Sequence, residues 1–234
     1  MVLLAASLLI AAAADLAPLE RELTQAFEKK TGIHATFTLG SSGLLARQIE
    51  NGAPFDVYLS ANESYVKLLA DSGALDAATI RTYALGRLGL WGVKDLKALA
   101  DPGLRHVAIP NPKHAPYGVA AEEALRRTGL LDAVRAKIVY GENVRQTYQY
   151  ARSGNAEAAI TSWTLVQSEG GILLPETLHD PIRQSGGVVK SSRNAAGARA
   201  FLDFLASDDG RAILRRYGLS DPRAREDGRE TRVP

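Results

Sequence analysis

Apolar positions along the chain follow two alternating patterns. Leu16, Leu19, Leu23 and Phe27 fall three or four residues apart, the spacing of one helical face, and Gly32 closes that pattern. Short, solidly apolar runs at residues 57–59, 85–90, 107–109, 138–140 and 158–160 lack that period and read as buried strands. Helical patterns fill the intervals at 44–50, 64–70, 119–128 and 144–153, with two more near the end around Phe201 and Ile213. Strands apolar on both faces, alternating with helices, predict an α/β fold of parallel sheets covered on both sides. The final stretch, 221–234, is charged, has no apolar period and reads as a disordered tail.

Composition narrows the function. The chain has 234 residues, 46% of them apolar, enough for one or two modest cores. A net charge of +2, with both signs interspersed, gives no basic face for nucleic acid. Aromatic residues are 6% of the chain, too sparse for a platform that stacks bases or sugars. The absence of cysteine removes disulfides, thiolate metal sites and the lipidated cysteine of an anchored lipoprotein, so a soluble protein is expected. Residues 1–14 are almost wholly apolar but lack the basic start of a secretory signal and are too short to span a membrane. Residues 1–7 read as the remnant of an export signal or as a start site placed too late.

The segment from Gly40 to Tyr65 says most about chemistry. It opens on Gly40-Ser41-Ser42-Gly43, followed by a short helical pattern that ends near Gly52. Amides at a helix start are unpaired and partly positive, and the glycines let a ligand approach the backbone, so the turn can hold an anion. Simple capping by serine explains the same pattern, and the turn alone does not separate the two.

Several motifs in order extend the picture. LARQIENGAPFDVYLSANE (45–63), LLIAAAADL (8–16), VAIPNPKHAPYGVAAEEAL (107–125), YGENVRQTYQYARSGNAEAAI (140–160) and FLDFLASDDGRAILRRYGL (201–219) together resemble the periplasmic molybdate-binding proteins of ABC transporters. The resemblance covers roughly residues 8–220. It implies a type II periplasmic-binding-protein fold: two α/β lobes, each a mainly parallel sheet flanked by helices, with the ligand in the cleft between them. Residues 1–84 and 181–220 would form a discontinuous lobe one, and 85–180 lobe two. It also implies a periplasmic monomer that binds molybdate or tungstate with high affinity and delivers it to a membrane permease. No cofactor, catalysis or directly ligated metal cation is expected.

Carried onto this sequence, the resemblance nominates Ser42 through its hydroxyl and N–H, and Tyr117 and Val144 through their backbone N–H groups. Ser41 would shape the turn. The first loop departs from the family, which commonly has Ser or Thr followed by a small polar residue where this chain has Ala14 and Asp15. Ala14 offers an amide and no hydroxyl. An ionised Asp15 about 4 Å from a dianion would cost several kcal/mol even at an effective dielectric of ~20. Its side chain is therefore expected to turn away and cap a helix beginning at Leu16, accepting from the Ala17 N–H, while its amide faces the ligand. Ser162 stands where some family members carry a ligand tyrosine.

Other readings fit less of the sequence. The serines lie outside a G-x-S-x-G elbow, and the four histidines show no metal-ligand spacing. His114 reads as a solvent-facing turn residue. An effector-sensing module of a transcription factor would need a helix-turn-helix segment, for which residues before Leu8 leave no room. A binding protein retuned to another oxyanion, such as phosphate or arsenate, is the nearest rival, because a protonated anion can donate to Asp15.

Overall fold

The computed structural model describes residues 7–222. Residues 1–6 of the expected signal remnant and most of the expected tail lie outside that range.

The first strand, β1 (Ser7–Ala13), runs into a 3-10 turn, Ala14–Leu19, and only then into α1 (Glu20–Thr31). The sequence pattern suggests one helix from Leu16; Pro18, inside the turn, cannot donate to an α-helical ladder, so the α-helix starts beyond it. Gly32 ends α1 in the left-handed conformation, φ 71°, and its N–H returns to Glu28 O at 2.7 Å. β2 (His34–Gly40), α2 (Ser42–Glu50), β3 (Val57–Ser60), α3 (Glu63–Asp71) and β4 (Arg81–Gly86) follow. The chain then crosses to a second sheet. The apolar run 85–90 is not one strand: β4 ends at Gly86 in the first sheet and β5 (Leu88–Trp91) begins in the second. β6 (Val107–Pro110), α4 (Pro116–Arg127), α5 (Leu131–Val134), β7 (Ile138–Gly141), α6 (Val144–Arg152), β8 (Ala158–Ser162), α7 (Trp163–Val166) and β9 (Ile172–Leu173) complete that second unit. β10 (Ile182–Val188) returns to the first sheet, and α8 (Ala195–Ala206) and α9 (Asp208–Arg216) pack against it.

The sheets have the strand orders β2-β1-β3-β10-β4 and β7-β6-β8-β5-β9. Each is parallel in one half, where β1 lies between β2 and β3 and β6 between β7 and β8. Antiparallel pairs enter with β10 in the first sheet and β5 in the second.

Both faces of the first sheet are covered. Leu8, Ile10 and Ala12 of β1 pack with the α1 stripe Leu23 and Phe27 and with Phe201 and Phe204 of α8. Ala11 faces the other way, against Leu45, Ile49, Val66 and Leu69 of α2 and α3, as the two-residue period of a strand requires. Phe27 meets Phe201 edge-to-face at 5.0 Å, and full burial of each such ring contributes about 1.5–3 kcal/mol. A separate core, built around Leu88, Leu90, Val107, Ile109 and Ile160, holds the second sheet.

Candidate anion-binding site

Parallel strands deliver the chain to a common edge, and loops leaving their C-terminal ends meet there. β1 ends at Ala13, β2 at Gly40, β6 at Pro110 and β7 at Gly141. From those ends the backbone turns into the 3-10 segment, α2, α4 and α6. Their first residues line one small pocket between the sheets: Ala14, Asp15, Ser41, Ser42, Tyr117 and Val144. The cavity among them is about 10 Å³, roughly room for one water-sized sphere, so the surrounding residues sit close together. Among the described residues no lysine or arginine lines it. Any anion there is met by amides and hydroxyls.

Ser42 is the first residue of α2 and is buried. Its Oγ accepts the Ala61 N–H at 3.0 Å, and its carbonyl accepts the Tyr58 hydroxyl at 2.8 Å. With the oxygen already accepting from protein, the Ser42 hydroxyl proton is left to donate into the pocket.

Ser41 precedes the helix and makes no side-chain cap. Its Oγ pairs instead with His114 Nδ1 at 3.0 Å, and the Gly43 N–H donates to His114 O at 2.9 Å. These contacts reach from the first unit to the second. His114 is therefore half-buried at the lip of the pocket, and the solvent-facing role expected for it is corrected. Burial holds its imidazole below the ordinary value, with nearby Glu142 opposing.

Pro116 is the first residue of α4 and has no N–H to leave unpaired. The Gly118 and Val119 amides turn back to Ala115 O, at 2.9 and 3.4 Å, so the helix leaves the Tyr117 amide without an internal partner. The Tyr117 ring is no mere filler. Its hydroxyl donates to Asp15 Oδ2 at 3.0 Å and accepts from Gln184 Nε2 at 3.1 Å. In α6, Asn143 Oδ1 accepts the Arg145 and Gln146 amides at 3.0 and 3.1 Å, which leaves the Val144 amide as the free donor of that turn. Thr161 Oγ1, donating to Val144 O at 2.9 Å, fixes the peptide.

Two further expectations change. Ser162 does not line the pocket: its hydroxyl pairs with Thr164 Oγ1 at 2.9 Å and caps α7 by accepting the Thr164 N–H. Asp15 does not cap Ala17. The turn begins at Ala14 with Ala13 in the cap position, so Asp15 lies inside the turn, where its carboxyl cannot reach back as a cap. It is instead fully buried. Oδ2 accepts from the Tyr117 hydroxyl and from Gln184 Nε2, and Oδ1 has no partner. Gln184 is held by the Tyr83 hydroxyl, which donates to Oε1 at 2.9 Å, and Thr164 Oγ1 donates to Asp15 O at 2.7 Å. Burial pushes the carboxyl up to about 6; the hydrogen bonds from Gln184, Tyr117 and its own backbone N–H oppose that rise.

Gln184, Tyr83 and Thr164 are absent from the expected site. The signal for Gln184 was a polar residue within a strand, in IRQSGGV, where full burial demands partners. Among the described residues no group of three or more His, Asp or Glu side chains is placed to hold a metal ion.

The model of the bacterial extracellular solute-binding protein family matches residues 8–220. The chain belongs to that family. A molybdate-binding protein, ModA, of Rhodobacter capsulatus is 36% identical over 222 residues, covering 92% of this chain and 88% of that protein. The periplasmic molybdate-binding protein of Azotobacter vinelandii superposes with a TM-score of 0.86 at 32% identity, over 92% of this chain and 99% of its own. The sulfate-binding protein SubI from Mycobacterium tuberculosis H37Rv shares the fold, with a TM-score of 0.77 at 17% identity over 95% of this chain and 90% of its own. This solute-binding protein thus has the type II periplasmic-binding-protein fold. Its family is one of transport proteins rather than enzymes.

Proposed function

We propose that this solute-binding protein captures molybdate or tungstate in the pocket between its sheets and delivers it to the permease of an ABC importer. The observation that supports this reading most is the convergence of the Ala14, Asp15, Ser42, Tyr117 and Val144 backbones, with the Ser42 hydroxyl, on one cation-free pocket. Hydrogen bonds to a charged acceptor contribute about 1.5–3 kcal/mol each. About six of them offset the desolvation of a dianion without burying a positive charge beside it. Selection over sulfate then rests on size, since both anions present four oxygens and two negative charges.

In this reading residues 1–84 with 181–220 move as one lobe and 85–180 as the other, closing on the anion without chemistry and with no cofactor. The protein works as a periplasmic monomer, and the closed lobes present their outer faces to the permease. Similarity to the molybdate-binding proteins of Rhodobacter capsulatus and Azotobacter vinelandii supports the choice of anion.

Calorimetric titration of dialysed protein with molybdate, tungstate, sulfate and phosphate tests it. One-to-one heat from the first two, with sulfate and phosphate silent, is expected. Silence to molybdate with heat from phosphate would overturn the reading.

A further inference from the structure

Capture of a dianion by amides and a serine leaves one side chain of the pocket unexplained. Asp15 is acidic, fully buried, and lines the space the anion would fill. Its Oδ2 is saturated by two donors, the Tyr117 hydroxyl and Gln184 Nε2, and those donors are themselves fixed. Its Oδ1 has no partner among the described residues. A buried acceptor without a donor is costly, and a carboxylate facing a dianion is costlier still. One proton removes both problems.

We propose that Asp15 links capture of the anion to uptake of one proton, held between Asp15 Oδ1 and a ligand oxygen, so that the carboxyl serves as a neutral donor. The inference rests on the oxyanion reading above and specifies the chemistry of that site. The geometry assigns the two oxygens different work: Oδ2 anchors the group to the second unit, and Oδ1 meets the ligand. The proton is taken from hydronium or the buffer acid, which is left as water or the conjugate base, and forms one O–H bond on Oδ1; no other covalent bond is made or broken.

The surroundings favour a neutral acid. The titratable groups facing it are the Tyr117 hydroxyl from α4 and the Tyr83 hydroxyl from β4, both driven well above the ordinary tyrosine value by burial and by Asp15 itself. Gln184 from β10 and Thr164 from α7 are uncharged. The charged side chains of α1 and α6, which also pack on this turn, are not among the groups that shift it. Burial has already raised the carboxyl to about 6 before any anion is present. A bound dianion raises it further.

The consequence is an affinity that falls as pH rises above about 6. Between pH 6 and pH 8 uptake of close to one proton predicts a loss of roughly fifty-fold. Molybdate itself remains a dianion over that range, so the change belongs to the protein. Calorimetry with molybdate on the full chain at both pH values, each in two buffers of different ionisation enthalpy, counts the protons directly. Wild type is expected to take up close to one proton per anion at pH 8. Asp15→Asn places a permanent N–H donor where the proton would sit; it should take up none and bind more tightly than wild type at pH 8.

A wild-type affinity flat in pH with no proton uptake overturns the proposal while leaving the oxyanion reading standing. Proton uptake that survives in Asp15→Asn also overturns it, and points to His114 at the lip. Should Asp15→Asn fail to fold, His114→Gln decides: retained uptake supports Asp15, and lost uptake overturns it. No heat from molybdate or tungstate in wild type at either pH defeats the oxyanion reading, and the proposal with it.

Discussion

Ser42 and Asp15 show how burial assigns a side chain its task. The Ser42 oxygen is committed to the Ala61 amide, so its one remaining resource is a proton aimed at the pocket. Ser42→Ala removes that donor and leaves the Ala61 N–H unpaired. Anion affinity should fall at least about tenfold, the equivalent of one hydrogen bond to a charged acceptor, as read by calorimetry. An unchanged affinity would place the site elsewhere. Asp15 makes a different prediction, one that needs no ligand. Its folded value, about 6, lies above the ordinary 3.8, so its contribution to stability is full below 3.8 and is lost as pH rises through 6. The whole effect is about 3 kcal/mol, of which roughly 1.4 kcal/mol falls between pH 5 and pH 8. Asp15→Asn does not titrate. Measured by thermal unfolding without anion, the variant should gain a few degrees on wild type in going from pH 5 to pH 8. A constant difference between the two proteins would show that the carboxyl does not ionise in that window.

Strands and helices place these residues, and two glycines set how closely the elements approach. A Cβ at Gly86, the last residue of β4, would lie 2.4 Å from the Tyr117 hydroxyl and 3.0 Å from the Ile182 side chain. That hydroxyl is fixed between Asp15 and Gln184 and has no room to yield. Gly86→Ala should cost about 1–3 kcal/mol in denaturant unfolding and weaken anion binding with it. At Gly43 an added Cβ would lie 2.8 Å from the Tyr65 hydroxyl of α3 and 3.0 Å from the Cβ and carbonyl of His114 across the pocket. There alanine should weaken anion binding about three- to tenfold in a calorimetric titration with molybdate, because it presses on His114 from the opposite side of the pocket.

Much of this arrangement is legible in the sequence. The α1 stripe, the apolar runs of β3, β6, β7 and β8, and the helix starts at Ser42 and Val144 follow from local periodicity and turn chemistry. β10 does not, because IRQSGGV carries no apolar pattern and is held as a central strand by its neighbours. The fate of Asp15 is equally hidden. A local rule makes it a helix cap, whereas Tyr117 and Gln184, 102 and 169 residues away, turn it into a buried acid. Long-range partners of that kind leave no mark near the residue they control.

At the scale of the whole molecule, the direct bonds across the pocket among the described residues include Gly43 and Ser41 to His114, Tyr117 to Asp15, Gln184 to Tyr117, and Thr164 to the Asp15 carbonyl. An anion held from both sides would add its own hydrogen bonds to these, so occupancy should shift the population towards the joined form. The chain contains a natural reporter of the change. It has two tryptophans. Trp91 lies within the second unit, edge-on to Tyr148 at 5.6 Å and donating to Glu169 O. Trp163 opens α7 just beyond β8, yet its indole abuts Gly218, after α9, where an added Cβ would lie 2.4 Å from Cδ1. That contact joins the second unit to the C-terminal segment of the first. If the units part when empty and join when filled, the environment of Trp163 changes and that of Trp91 does not. Molybdate should therefore alter the intrinsic fluorescence of wild type and of Trp91→Phe, and leave Trp163→Phe silent although calorimetry still records binding. A response lost with Trp91 instead would locate the motion inside the second unit, against movement of two lobes about the crossing strands.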